Sequence, residues 1–379
     1  MTLDAREFLR SRSVPDELIE EAEKSGWLPL LVLDQALFPG QPQYRSADVA
    51  TAAGLDPEVV KRLWRAMGFT EADPDEVVFY PQDIEALTFA GDELSLGAPL
   101  EVVVRETRVM NAAVSRAAEA IADDVAGILR TARELGLSDD EAAEWLTRTI
   151  DVERFARVMG YFLRRQLRAA LWRKLALPAD QANHITLTVG FVDLVRFTAI
   201  TEEVPEEELD LLVTRFEEVA HERITDNGGR MVKMIGDEVM FVADDPATGI
   251  GIALDLVDAY SADEQLPSAR AGVAYGGVLS RDGDYFGPVV NLASRIVDVA
   301  RPNTVVTSES LHDVLAEHEG LVWRRLPPKR LKGIGRTALW LVRRADGGEE
   351  GHRLGRLADR LPARMTRGNL SGDATPPRG

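Results

Sequence analysis

The sequence predicts an α+β protein in two parts: an all-helical first half, then a second half in which strands and helices alternate. From about Ala5 to Leu175, apolar residues return every three or four positions, as at Leu100, Val103 and Val104, with no sustained period of two. After about residue 180, short apolar runs alternate with amphipathic segments. At 379 residues with 45% hydrophobic content, the chain can fill two cores.

The order of elements in the second half is βαββαβ, a ferredoxin-like layout with further pieces to Val342. Asn227, Gly228 and Gly229 predict the end of its first long helix. The expected strands are 185–191, two short strands within 231–241, 270–278 and 303–307, and the expected helices are 205–226, 246–260 and 289–299. We therefore expect a helical domain with a linker helix over 1–175, an α+β domain over 183–343, and a disordered Arg-, Gly- and Pro-rich tail over 346–379.

Composition excludes several classes of function. With 44 Lys and Arg against 63 Asp and Glu, the net charge of −19 argues against general attraction to nucleic acid or to an anionic membrane. The absence of cysteine excludes disulfides and thiolate metal sites. No signal-peptide pattern and no apolar run of roughly 18 to 20 residues are present, so we expect a cytoplasmic protein with no membrane partner.

Residues 44–65 resemble a helix-turn-helix, with Gly54 in the turn and Asp56 as a cap before Pro57. Lys61, Arg62 and Arg65 could reach phosphates from a recognition helix. However, residues 44–91 contain four basic and nine acidic residues. This balance favours a helical packing or regulatory module over DNA binding.

Two aspartates mark the candidate catalytic centre. Asp193 follows the apolar run Val189-Gly190-Phe191-Val192, and Asp237 lies in the turn of Met234-Ile235-Gly236-Asp237-Glu238. Carboxylates held at strand ends can bind two divalent cations for in-line phosphoryl chemistry. Taken alone, such a pair is also consistent with caps or surface charges.

A third element lies downstream, after the turn at Gly287 and Pro288. Asn291 and Arg295 are four apart on the expected helix and so project from one face. An amide and a guanidinium there suit a ribose and a charged phosphoryl transition state. A packing role for Asn291 and a surface ion pair for Arg295 remain the alternative.

Together these elements closely resemble the catalytic domain of class III nucleotidyl cyclases, over roughly residues 183 to 343. The resemblance implies that Asp193 and Asp237 bind two Mg²⁺ or Mn²⁺ ions per active site. It implies further roles for five residues: Lys233 and Asp284 select the purine, Asn291 and Arg295 stabilise the transition state, and Lys332 binds the triphosphate.

In this family a catalytic centre forms between two domains packed head to tail. Since one chain carries both halves of the set, the resemblance implies a homodimer with two composite sites. One subunit would supply Asp193 and Asp237, and the other Lys233, Asp284, Asn291 and Arg295.

The chemistry of the purine pair favours ATP as the substrate. Adenine has an acceptor at N1 and a donor at its exocyclic amine, which suit Lys233 and Asp284, whereas guanine reverses this pattern. We therefore expect an adenylate cyclase, a phosphorus–oxygen lyase that converts ATP to 3′,5′-cyclic AMP and pyrophosphate.

The turn after Asp193 departs from the family pattern. Its backbone amides, with Phe197 and Thr198 at the start of the next helix, are expected to bind the triphosphate. The family commonly has glycine three residues after the first metal aspartate, where this chain has Arg196. The Arg196 side chain either adds a phosphate contact or points to solvent.

Two other functions remain as alternatives. A diguanylate cyclase has a related fold, but Ile235-Gly236-Asp237-Glu238-Val239 lacks the paired glycines and the phenylalanine of its turn. A transcription regulator using residues 44–91, with an inactive nucleotide-sensing domain, would not need the complete catalytic set.

The helical first half followed by a single cyclase domain is similar to actinobacterial-type adenylate cyclases, whose helical domain is regulatory and in some members pH responsive. Histidine is the usual switch near neutrality. All five histidines lie after residue 183, and His184 at the junction is the best candidate. Otherwise, carboxylates such as Glu206 and Glu207 would need raised pKa values.

Overall fold

A computed structural model describes residues 3–175 and 184–345; the side chain of His184 and the tail 346–379 lie outside the described residues. The chain divides into two compact units between Leu171 and Trp172. No described helix is both long and apolar enough to cross a bilayer. The mixed α+β fold class predicted from the sequence is confirmed.

The first unit is built from helices, as the apolar period of three to four predicts. Three clusters of buried side chains hold it together, centred for example on Leu63, Leu9 and Leu146. The longest helix spans 35 residues. The helices are α1 (Ala5–Ser11), α2 (Asp16–Ser25), α3 (Leu28–Leu37), α4 (Ser46–Ala53), α5 (Pro57–Ala66), α6 (Pro81–Ser95), α7 (Leu100–Glu134), α8 (Asp139–Thr149) and α9 (Val152–Leu175).

The helix-turn-helix pattern is present as α4 and α5. Gly54 ends α4 with a left-handed φ of 66°, and the Asp56 side chain accepts a hydrogen bond from Glu58 N, which caps α5. Three of the four basic side chains of this segment are engaged with acidic neighbours: Lys61 pairs with Glu58 and Glu71, Arg62 with Glu101, and Arg45 with Asp75. The fourth, Arg65, donates to the carbonyl of Lys61. This pairing supports a packing role for the segment.

The second unit is an eight-stranded mixed sheet with helices on its faces. The elements are β1 (His184–Leu194), α10 (Phe197–Glu203), α11 (Glu206–Asp226), β2 (Arg230–Ile235), β3 (Glu238–Ala243), α12 (Pro246–Ala262), β4 (Ala269–Arg281), β5 (Asp284–Phe286), α13 (Pro288–Val297), β6 (Val305–Ser308), α14 (Glu309–Leu315), β7 (Leu321–Arg325), β8 (Lys329–Leu331), β9 (Gly335–Thr337) and β10 (Leu339–Arg344).

The strand order β2-β3-β1-β4 is the ferredoxin-like arrangement, with antiparallel pairing throughout. The sheet continues through β6, β10 and β7, and β5 pairs with β4. The strands β8 and β9 form a separate two-stranded ribbon between β7 and β10. Because β1 lies in the middle of the sheet, residues at its end have a strand on each side.

Candidate active site

The first part of the site lies where β1 ends beside the turn between β2 and β3. Asp193, the penultimate residue of β1, is in register with Glu238 of β3 on one side and Arg270 of β4 on the other. Asp237 occupies the turn, and its carbonyl accepts a hydrogen bond from Leu194 N at 3.1 Å. Backbone pairing therefore brings the two predicted metal aspartates together.

Acidic side chains outnumber basic ones around Asp193. The Oδ2 of Asp193 accepts hydrogen bonds from Arg270 Nε at 2.8 Å and Nη2 at 2.6 Å. Burial nevertheless raises the pKa of Asp193; Arg270 opposes this shift and Asp237 adds to it. Burial, followed by the charges of Asp193, Asp298 and Asp237, raises the pKa of Glu238 to about 7.

This donor set suits a hard divalent cation. Asp193 and Asp237 offer carboxylate oxygens, and their crowding means that a bound cation would relieve like-charge repulsion. Among the described residues no cluster of three or more acidic or imidazole groups forms a protein-only cage. Two carboxylates completed by water and substrate phosphates are the usual way in which Mg²⁺ is held.

A second part of the site joins β2 to β5. Lys233 Nζ donates to Asp284 Oδ2 at 2.5 Å, and the other carboxylate oxygen of Asp284 accepts from Tyr285 N at 2.8 Å. Both partners are partly exposed, with side-chain accessibilities of 40% and 29%. The pair is thus fixed in place, yet open to a ligand. Asp284 also lines a surface cavity with Leu279, Arg281, Asp282 and Phe286.

The helix α13 carries the third part. Asn291 is exposed and Arg295 follows one turn later, with its Nη1 3.3 Å from Asp298 Oδ2. Close packing of β4 fixes this helix, because a Cβ placed on Gly272 would lie 2.3 Å from Val297 N. The absence of a side chain at Gly272 therefore allows α13 to hold Asn291 and Arg295 in their observed positions.

The predicted triphosphate residues occupy two separate places. Phe197 packs against the core at the start of α10, whereas Thr198 is exposed. Arg196 precedes them with a left-handed φ of 65°, and its side chain is exposed. Lys332 is exposed at the tip of the β8–β9 ribbon, next to the buried Leu331.

No hydrogen bond or ion pair within the described part of the chain joins the Lys233–Asp284 pair to Asp193 or Asp237. Sequence reasoning missed Arg270 and Glu238, which flank Asp193. The feature that identifies them is that each is a charged residue on a strand that pairs with β1. That feature depends on the strand register and cannot be obtained from local sequence.

Two family models match the chain. Residues 7–172 match the adenylate cyclase regulatory domain, and residues 179–344 match the adenylate and guanylate cyclase catalytic domain. An adenylate cyclase of Streptomyces coelicolor is 32% identical over 346 residues, which span 84% of this chain and 90% of the relative. The chain belongs to the class III adenylate cyclases.

Two further relatives match over comparable lengths. An adenylate cyclase of Glutamicibacter nicotianae is 32% identical over 325 residues, 80% of this chain and 79% of its own. A pH-sensitive adenylate cyclase of Mycobacterium tuberculosis is 34% identical over 334 residues, 83% of this chain and 82% of its own. The predicted family and enzyme class are confirmed. Cyclase domains of this family use divalent metal ions, bind a nucleoside triphosphate and typically form dimers.

Proposed function

We propose that this cyclase converts ATP to 3′,5′-cyclic AMP and pyrophosphate, in two equivalent composite sites of a homodimer. The observation that carries the choice of ATP is the hydrogen bond between Lys233 and Asp284. It presents a cationic donor and a carboxylate acceptor side by side. These suit the N1 acceptor and the amine donor of adenine, and mismatch guanine at both positions.

The separation of the charged sets supports the composite site. One protomer would supply Asp193 and Asp237, and its partner Lys233, Asp284, Asn291 and Arg295. Asp193 and Asp237 would hold two Mg²⁺ or Mn²⁺ ions. When bound, these ions would supply Lewis-acid activation of the ribose 3′ hydroxyl and charge neutralisation on the triphosphate.

The remaining residues bind and orient the substrate. Arg295 would leave its contact with Asp298 and stabilise the negative charge that develops at the α-phosphate. Asn291, one turn away on the same helix, would orient the ribose. Lys332 would bind the triphosphate, together with the backbone N–H groups of Phe197 and Thr198. The Arg196 side chain points to solvent in this proposal, since it is exposed.

The helical unit would regulate the distance and orientation of the two catalytic units. A relative named as pH-sensitive shares 34% identity across both units, which supports a regulatory role and makes pH the first signal to test.

The test is incubation of the purified chain with ATP or GTP and Mn²⁺, with detection of the cyclic nucleotide and pyrophosphate by chromatography and mass spectrometry. Cyclic AMP formation that is abolished in the Asp237→Asn variant is expected. Faster turnover of GTP than of ATP would contradict the assignment of Lys233 and Asp284, and no cyclic product from either nucleotide would contradict the proposed activity.

A further inference from the structure

The segment from β7 to β10 is basic in an otherwise acidic chain. Residues 321–344 contain eight Lys and Arg and no Asp or Glu, while the whole chain has a net charge of −19. Arg325 lies 4.0 Å from Glu309, and Arg344 pairs with Asp255 and Asp258. The other six cations make no ion pair with any described residue; they are Arg324, Lys329, Arg330, Lys332, Arg336 and Arg343.

Two of these cations lie opposite each other. Arg330 of β8 is in register with Arg336 of β9, and both side chains are exposed. Like charges facing each other across a strand pair are destabilising. The ribbon belongs to no larger sheet, so the repulsion would weaken a small element unless an anionic partner covered it.

An acidic surface of the opposite kind lies between α10 and α11. Glu202 and Glu203 end α10, and Glu206, Glu207 and Glu208 form the first turn of α11. All five are exposed and none is paired within the described residues. We refer to these five glutamates as the acidic junction.

We propose that Arg330 and Arg336 of one copy dock against the acidic junction of a second copy. The inference rests on the proposed function, in which Thr198 and Lys332 contact one triphosphate, and it adds that these two residues come from opposite subunits. The ribbon then lies beside the partner's α10, on which Glu203 of the junction is five residues, about 7.5 Å, from Thr198. Arg330 lies two residues from Lys332, about 7 Å along the ribbon.

Charge complementarity selects the second copy as the occupant. Each copy carries both surfaces, so a two-fold axis generates two identical contacts and leaves neither surface uncovered. Exposed ion pairs of this kind set orientation and association rate and add modest affinity. The contact would therefore fix the register of the composite site.

The test uses complementary charge reversals in the full-length chain. Variant A carries Arg330→Glu and Arg336→Glu, and variant B carries Glu203→Lys and Glu206→Lys. Sedimentation velocity over a dilution series, without nucleotide, should show the dimer dissociation constant of A or B alone raised about tenfold or more. The control pairs Arg223→Glu with Arg301→Glu, exposed positions elsewhere, and changes net charge as A does; its dimerisation should match wild type.

Mixing A with B gives the decisive result. In the A–B heterodimer one contact is the wild-type contact. The other places the introduced glutamates against the introduced lysines, while Glu202, Glu207 and Glu208 stay acidic. At equal concentrations the mixture should therefore dimerise more tightly than either variant alone. Failure of the mixture to exceed either variant alone would overturn the proposal. Unchanged dimerisation of A together with a raised KM for ATP would also overturn it, because the arginines would then bind nucleotide. Since sedimentation needs no substrate, a wild-type chain that makes no cyclic AMP would refute the proposed function separately.

Discussion

At the scale of single residues, Asp193 shows how strand register creates an electrostatic environment that local sequence does not reveal. Glu238 and Arg270 flank it from the two neighbouring strands, and Asp237 adds a second carboxylate. One arginine does not balance three acidic side chains. The folded apoprotein therefore keeps unfavourable charge at the place proposed for the cations.

Replacing Asp237 by asparagine should separate activity from stability. We expect kcat to fall by at least about 100-fold, because a cation ligand is lost. Thermal stability should stay equal or rise, since a charge near Asp193 and Glu238 is removed. Activity assays and thermal unfolding measure the two effects.

The matched control is Asp245→Asn, a change of the same chemistry at a structural cap. Asp245 Oδ2 accepts a hydrogen bond from Thr248 N at 2.7 Å at the start of α12. Asparagine also caps helices well, so both activity and stability should be nearly unchanged. A comparable loss of activity in Asp245→Asn would show that the effect at Asp237 is not specific.

Exchange of the purine pair should change substrate preference. In the double variant Lys233→Asp with Asp284→Lys, the acceptor and the donor trade places, so the ATP-to-GTP ratio of kcat/KM should fall by about 100-fold or more. Competition assays with both nucleotides measure the ratio. Equal losses for ATP and GTP would argue that the pair only stabilises the fold.

At the scale of secondary-structure elements, the position of α13 depends on its contact with β4. A Cβ on Gly272 would meet the backbone of α13, including Ala293 O at 2.5 Å. The helix would have to move, and Asn291 and Arg295 would move with it. Because backbone atoms cannot rotate away, this contact tolerates no larger side chain.

Gly272→Ala should therefore lower both stability and activity. We expect a loss of about 1–3 kcal/mol in unfolding free energy from overpacking, with kcat reduced more than KM because the transition-state pair is displaced. Gly251→Ala in α12 is the control: apart from neighbouring backbone of its own helix, no atom lies within 4 Å of its added Cβ, so it should stabilise by about 0.5–1 kcal/mol. Denaturant titration of both variants distinguishes the outcomes, and equal effects would contradict the packing argument.

The elements differ in how far the sequence alone predicts them. The expected helix over 205–226 corresponds to α11 (Glu206–Asp226), because Pro205 begins it and Gly228 and Gly229 follow it. The strand expected over 185–191 extends further, as β1 (His184–Leu194), since pairing on both sides keeps Asp193 extended. The β8–β9 ribbon was not predicted, because three-residue strands carry too few residues to show a period.

The candidate site shows the same division. Asp193 and Asp237 could be located from their positions next to apolar runs, and Asn291 and Arg295 from helical spacing. The hydrogen bond between Lys233 and Asp284, 51 residues apart, depends on the fold of the sheet. Residue types were predictable from sequence and resemblance, whereas which of them touch within one chain was not.

At the scale of the whole molecule, the two compact units have separate cores, and the family models match each unit. This organisation predicts that the first unit can alter catalysis without contributing a catalytic residue. The long helices α7 and α9 are the elements suited to transmit such a change.

Deletion of residues 1–175 should change kcat by at least about tenfold, because dimer geometry would no longer be controlled. The pH–activity profile should also lose any feature that depends on the first unit. Rates measured at several protein concentrations separate altered geometry from weaker dimerisation. Unchanged kinetics and an unchanged pH profile would contradict a regulatory role for this unit.

The hydrogen bond between Lys233 and Asp284 exists in the chain without nucleotide. In the proposed role, an entering adenine must share or replace that hydrogen bond. Lys233 and Asp284 then exchange one partner for another, because neither side chain lacks a hydrogen bond before the base binds. The net gain from the base is then small, and most ground-state affinity must come from the triphosphate. Adenosine alone should be a very weak competitor, whereas pyrophosphate or tripolyphosphate should compete well.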